Sequence, residues 1–274
     1  MAVTMQDIKH LRDLTGAGMM DVKKALEEAG GDHDKAIEIL RKKGQAIAAK
    51  RSDREAAEGC VLTHTEGGVA TLVALKCETD FVAKNEDFVA LTQSILNKAV
   101  AEKPANAEAL LALEIDGRTI ESLITERSGV TGEKMELGAY EQISAPAVAA
   151  YVHAGNKLGV VVGFNETLDA ELAKEIAMQV ASMNPVAVDE AGVPESIKKQ
   201  ELEIAMDKAR QAGKPENLLE RIAQGSLEKY YKENTLLKQE FVFSESKKTV
   251  EETLHAASKS LTVTDFKRFN LNQD

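Results

Sequence analysis

An α+β fold is what this sequence predicts: a helical N-terminal module, a duplicated antiparallel sheet core with packed helices, and a protruding antiparallel helical hairpin. Three observations carry that expectation. Through residues 1–44 apolar side chains recur at three- and four-residue spacing, the period of a buried helix face. From Gly59 the period changes to alternation, as in a half-buried strand. A strand, turn, strand and helix pattern then returns, because residues 64–75 align without gaps on residues 153–164.

The first helix starts at Thr4, whose partner Asp7 stands three residues on as in a capping box, and carries Ile8, Leu11 and Leu14 as a helical stripe. Gly16-Ala17-Gly18 breaks it. A second helix over residues 19–29 places Val22, Ala25 and Leu26 on one side and stops at Gly30-Gly31. A third begins at Asp32 or His33, buries Ala36, Ile37 and Leu40, and ends at Gly44. Residues 45–58 are helix-prone and weakly amphipathic, which reads as a connector.

Val61 and Thr63 lead into a turn at Glu66-Gly67-Gly68, and residues 69–76 form the returning strand. Residues 78–86 fit neither period. A helix over residues 87–101 follows, then helical stretches within 104–127 and a strand over 135–143. Each copy of the repeat is followed by an amphipathic helix, but their spacers differ. Twelve residues separate Leu75 from Phe88, against five between Phe164 and Ala170. The repeat therefore locates an insertion, and loops longer than their connecting duty are where function concentrates. Further on, helices over 195–212 and 216–230 flank Gly213-Lys214-Pro215 as a hairpin. Residues 240–243 are strand-like, 249–257 helical, and 263–271 a last strand. The domain division expected is 1–54 for the three-helix domain, 55–143 for the first core subdomain, 144–185 with 229–274 for the second, and 186–228 for the helical arm.

Composition narrows the function classes. Lys and Arg total 34 and Asp and Glu 45, a net charge of −11, which disfavours broad binding to a phosphate backbone. The charge is uneven: residues 56–228 carry 15 cations and 28 anions, while both ends are near neutral. No apolar run approaches the roughly 20 residues a bilayer requires. The opening segment, Met1-Ala2-Val3-Thr4, has no basic stretch followed by an apolar one, so no leader peptide and a cytoplasmic location are expected. Cys60 and Cys77 read as small buried residues. None of the five histidines pairs at metal-ligand spacing, and no serine sits in a nucleophile elbow, so no enzyme, metal or cofactor is expected.

Two glycine patterns are weaker than they look. Gly16-Ala17-Gly18 lacks the preceding strand and the Lys-Ser/Thr of a phosphate loop. Gly129-Val130-Thr131-Gly132 has the spacing of an RNA-clamping loop, but Glu126, Glu133 and Glu136 around it would repel phosphates, which favours a plain turn. The insertion remains. Its Phe81 is one of 11 aromatic residues and sits among polar neighbours. A loop aromatic most often folds back to plug its own core, and that reading is favoured here; the alternative is a wedge into a partner. Met19 and Met20 pose the same choice, with core packing favoured again.

Lys9-x-x-Arg12-x-x-Thr15-Gly-Ala-Gly-Met-Met-Asp, then Glu78-Thr-Asp-Phe-Val-Ala83, then Tyr151-x-His153-x-Gly155, resemble bacterial elongation factor Ts along nearly the whole chain. That resemblance implies a guanine-nucleotide exchange factor for elongation factor Tu, with no chemical catalysis, no direct nucleic-acid or membrane partner, and no cofactor. It implies a ubiquitin-associated-like N-terminal bundle docking on the GTPase through Arg12, Met19 and Met20. It further implies that Thr79, Asp80, Phe81 and Val82 enter the GTPase near its Mg²⁺ site, and that Gly132 and His153 approach the phosphate-loop side. The second core repeat would touch another domain of the GTPase. The hairpin is a dimerisation element in some members, which makes a homodimer through it an implied option. The chain departs from the family in two places. Thr131 and Lys134 stand where an Ile before the glycine and an Asn two after it are usual, and the sequence ends at Asp274, where many members continue into a helical module whose contact is expected to be missing.

Overall fold

A computed structural model describes residues 3–272; the outermost two positions at each end, including the Met1-Ala2 start of the segment read for a leader, lie outside the described residues. The fold is α+β, with eleven α-helices and small antiparallel sheets among the described residues. Three helices come first: α1 (Met5–Thr15), α2 (Met19–Glu28) and α3 (His33–Lys50). Thr4 and Asp7 form the expected capping box, and Asp32 caps α3 by accepting from the Lys35 amide at 3.1 Å. Their core is Ile8, Leu11, Val22, Ala25, Leu26 and Ala36.

Strands β1 (Glu58–Glu66) and β2 (Val69–Cys77) form a hairpin across Gly67-Gly68, both at positive φ. A four-residue helix α4 (Asp80–Ala83) occupies the insertion, and α5 (Glu86–Glu102), α6 (Ala107–Ala112), the short hairpin β3 (Glu114–Ile115) and β4 (Arg118–Thr119), and α7 (Ile120–Thr131) follow. Strand β5 (Met135–Ser144) completes a sheet of order β1-β2-β5. Then β6 (Ala147–Val152), β7 (Leu158–Phe164) and α8 (Ala170–Met183) repeat the theme. Helices α9 (Glu195–Gln211) and α10 (Glu216–Asn234) pack on each other, and α11 (Val250–Ala257) leads to β8 (Val263–Asn270), which closes a second sheet of order β6-β7-β8.

The two sheets correspond in detail. Each middle strand is antiparallel to both neighbours, and each carries a register shift, at Ala74/Leu75 in β2 and at Gly163/Phe164 in β7. Those two positions coincide in the ungapped alignment of the repeat. Side-chain alternation then sorts the core. Val73, Leu75 and Cys77 of β2 face α5, α6 and α7, while Leu72 and Ala74 face the other sheet. In β7, Val160, Val162 and Phe164 face α8 and α11, and Val161 faces the first sheet. The sheets approach closely because Gly159 stands on that facing side, where a Cβ would come within 2.5 Å of Val61 Cγ1.

Several expectations need correction. Helix α3 does not end at Gly44; it runs to Lys50, so part of the expected connector is helix. At Gly44 the helix is instead crossed closely by α7, an approach that Gly129 permits, since a Cβ on Gly129 would meet the Gly44 Cα at 2.2 Å. The Gly129–Gly132 stretch is not a plain turn: α7 continues through Thr131 and only Gly132, at φ 76°, caps it. The hairpin of β3 and β4 was not expected between α6 and α7. Residues 240–243 do not form a strand and make a single bridge, Glu240 to Thr249. The buried Gln179 takes the role of a strand partner there, accepting from the Val242 amide at 3.0 Å and donating to the Glu240 carbonyl at 3.2 Å. Helix α10 also runs past residue 230 to Asn234, where the Thr235 hydroxyl donates to the Tyr231 carbonyl at 2.7 Å.

Candidate partner-binding surface

Residues 78–86 break both sequence periods because they leave the sheet and make one capped helical turn. Thr79 is the N-cap of α4, its hydroxyl accepting from the Val82 amide at 3.4 Å. Ala83 is buried and Val82 packs against the first core, so this turn is anchored from below. Asp80 and Phe81 face outward. The Lys84 ammonium, hydrogen-bonded at 2.6 Å, holds the Asp80 carboxyl below its ordinary value, and Lys157 adds a smaller effect of the same sign.

Phe81 is 83% exposed, the most exposed of the large apolar side chains described, which overturns the expectation that it plugs its own core. Met19 and Met20 are likewise exposed, at 48% and 62%, against the expected core packing. Met19, Arg12 and Met5 line one groove between α1 and α2, and the Arg12 guanidinium has no ion-pair partner among the described residues. Met5 was not anticipated, because its position at the start of α1 gives no periodic signal. Apolar side chains held in water around an unpaired cation are the usual make-up of a surface awaiting a partner.

Gly132 and His153 stand on different elements, and His153 lines a groove with Met178, Ala181 and Ser182 of α8 and with Phe243. Gly132 reverses the chain after α7, so that the next residue, Glu133, turns toward α4 and accepts from the Thr79 amide at 3.1 Å and its hydroxyl at 2.6 Å. His153 is exposed in the turn between β6 and β7, with its Nδ1 2.8 Å from the Tyr151 hydroxyl. That turn is tied to β1: the Asn156 carbonyl accepts from the Val61 amide at 2.7 Å, and Lys157 pairs with Glu58 at 2.7 Å. The ring of groups around α4 thus comes from four separate parts of the sequence. The N-terminal bundle joins it through Arg51, whose guanidinium lies 3.0 Å from Glu78. Glu133, Glu78 and Arg51 carry this arrangement; in the sequence Glu133 reads only as a charge hostile to phosphate, Glu78 only as part of the family motif, and Arg51 gives no signal.

Both cysteines are buried, and burial, followed by the fields of Glu133 and Glu58, pushes the Cys77 thiol up to about 12, which removes it as a nucleophile near neutrality. Among the described residues no group of three or more His, Cys, Asp or Glu side chains is placed to hold a metal ion. No helix there is long and apolar enough to cross a membrane.

Comparison with known proteins agrees with the motifs. The profile of the family described as elongation factor TS matches residues 78–273. An elongation factor Ts of Porphyromonas gingivalis is 64% identical over 275 aligned positions, with all of both chains covered. Those of Azobacteroides pseudotrichonymphae and Bacteroides fragilis are 53% and 45% identical, again with both chains fully covered. The chain belongs to the elongation factor Ts family.

Proposed function

We propose that this chain is a guanine-nucleotide exchange factor that binds elongation factor Tu·GDP, disturbs its Mg²⁺ and phosphate-binding site, and so promotes GDP release before GTP binds, in the cytoplasm. The observation that carries the reading is Phe81, 83% exposed on a turn whose neighbours Val82 and Ala83 are fixed in the core. Burying such a ring in a partner is worth about 1.5–3 kcal/mol. That gain is available only in a GTPase state that opens a pocket for it.

In this reading Phe81 and Asp80 push aside the elements that hold the GTPase's metal, while Thr79 and Val82 fix the wedge from behind. Gly132 and His153 flank it toward the phosphate loop. Arg12, Met19 and Met20 dock a ubiquitin-associated-like bundle on a helix of the same partner. The factor needs no nucleotide site of its own. By linkage, whatever factor it takes from nucleotide affinity, nucleotide takes from its own affinity for the GTPase. The functional division follows the sequence boundaries: 1–54 for docking, 55–143 for the wedge, 144–185 with 229–274 for a contact with another domain of the GTPase, and 186–228 as a protruding arm suited to a second copy.

The test is the release of a fluorescent GDP analogue from purified elongation factor Tu in excess GDP. Acceleration at substoichiometric amounts of this chain is the expected result. A folded chain that leaves the release rate unchanged contradicts the proposal.

A further inference from the structure

The geometry points to Glu133 as the positioning residue of the Phe81 wedge, an inference that rests on the exchange reading above. Backbone pairing of β2 with β5 ends at Cys77 opposite Met135. One step further Glu78 faces Lys134, and two steps further Thr79 faces Glu133. Side chains take over where the ladder stops. The Glu78 carboxylate accepts from the Lys134 amide at 2.6 Å, and the Glu133 carboxylate accepts both the amide and the hydroxyl of Thr79. A carboxylate taking two hydrogen bonds in a partly buried position is among the stronger neutral-to-charged contacts.

The consequence falls on α4. With its hydroxyl hydrogen directed at Glu133, Thr79 keeps an oxygen lone pair for the Val82 amide, so the cap that starts the helix is set by a residue 54 positions away. A helix of four residues has no stability of its own. Glu133 is itself held: its amide donates to the Thr131 hydroxyl at 3.3 Å, and its carbonyl accepts the Ser128 hydroxyl. At the far end of the segment, Arg127 reaches Asn85 at 3.2 Å and Asp87 at 2.5 Å. Helix α7 and its cap therefore grip the insertion on both sides of Phe81, whose ring makes little contact with its own protein. An exposed ring gains precision only from its mount, and preorganisation is what converts its burial into work on a partner.

The sequence holds no tryptophan, so Phe81→Trp introduces a sole indole at the wedge. In that background Glu133→Ala is expected to lower the steady-state anisotropy of the indole in the free chain, and Glu133→Gln, which keeps one acceptor, to lower it less. In the GDP-release assay with Phe81 in place, Glu133→Ala should reduce the maximal release rate about tenfold, the equivalent of one charge-assisted hydrogen bond, while the half-saturating concentration moves less than about threefold. An unchanged anisotropy or an unchanged maximal rate overturns the role of Glu133. If Glu133→Ala does not fold, Glu133→Gln and Thr79→Val carry the same comparison. Phe81→Ala in the same assay separates the two levels: wild-type release by that variant removes the wedge and this inference with it. Loss of release in Phe81→Ala alongside a fully active Glu133→Ala removes only the positioning role.

Discussion

Phe81 forgoes the burial that most phenylalanines obtain, and its cost to the isolated fold is correspondingly small to remove. Exposed side chains away from structural features change stability by within about 0.5 kcal/mol on substitution. Phe81→Ala should therefore melt with the wild-type chain, a comparison that calorimetry settles. Cys77 behaves in the opposite way, because the folded state holds its thiol neutral. The thiol pKa is raised from 9.0 to about 12 on folding, so between those values the unfolded chain has lost more protons than the folded one. Stability attributable to Cys77 is intact below about pH 9 and declines as pH rises toward 12. Chemical denaturation at pH 8 and pH 10.5 should show that decline, and Cys77→Ala should flatten it. An unchanged slope in that variant would assign the alkaline loss to other groups. The burial of Cys77 is legible in the sequence and the exposure of Phe81 is not: Phe81 looks like a plug because nothing local shows that Val82 and Ala83 already fill the space beneath it.

At the level of elements, the strongly periodic helices and the strands of the repeat are legible because their signals are local. The misreadings share a cause. Gly44 looks like a helix stop, since glycine commonly ends helices, but α3 runs on past it and is crossed there by α7 at Gly129, 85 residues away. Residues 240–243 alternate like a strand, yet the Glu240 carbonyl and the Val242 amide are satisfied by the side chain of Gln179, which no pattern announces. Glu133 lies opposite Thr79 only because β2 pairs with β5, again a distant event. The crossing of α3 and α7 gives an asymmetric prediction. A Cβ on Gly44 would stand 3.5 Å from the Gly129 Cα, an ordinary contact, whereas one on Gly129 would fall 2.2 Å from the Gly44 Cα. Gly44→Ala should be neutral or stabilise by up to about 1 kcal/mol through the unfolded chain. Gly129→Ala should destabilise by about 1–3 kcal/mol, the usual cost of overpacking. Equal effects in thermal unfolding would contradict this account of the crossing.

Across the whole molecule, the two candidate docking regions are parts of one frame. The bundle that presents Arg12, Met19 and Met20 is fastened to the wedge region by the crossing at Gly44 and Gly129. Two ion pairs reinforce it, Arg41 with Glu126 at 3.1 Å and Arg51 with Glu78 at 3.0 Å. Two sheets stacked through Gly159 and Val161 carry the turn with His153 to the same end as α4. The sequence shows which pieces exist, from the change of period at Gly59 and the ungapped repeat, and its motifs carry the family. It does not show that these pieces converge, because convergence depends on pairings between distant segments. In the proposed exchange, docking by the bundle sets the approach and Phe81 performs the displacement.

The most direct measurement compares Phe81→Ala with the wild-type chain for release of a fluorescent GDP analogue from elongation factor Tu. The account predicts that the wild-type chain accelerates release at substoichiometric amounts. It predicts that the variant, equally stable, loses about tenfold to a hundredfold of that acceleration, the equivalent of one buried phenylalanine. Release at the wild-type rate by the variant would contradict it.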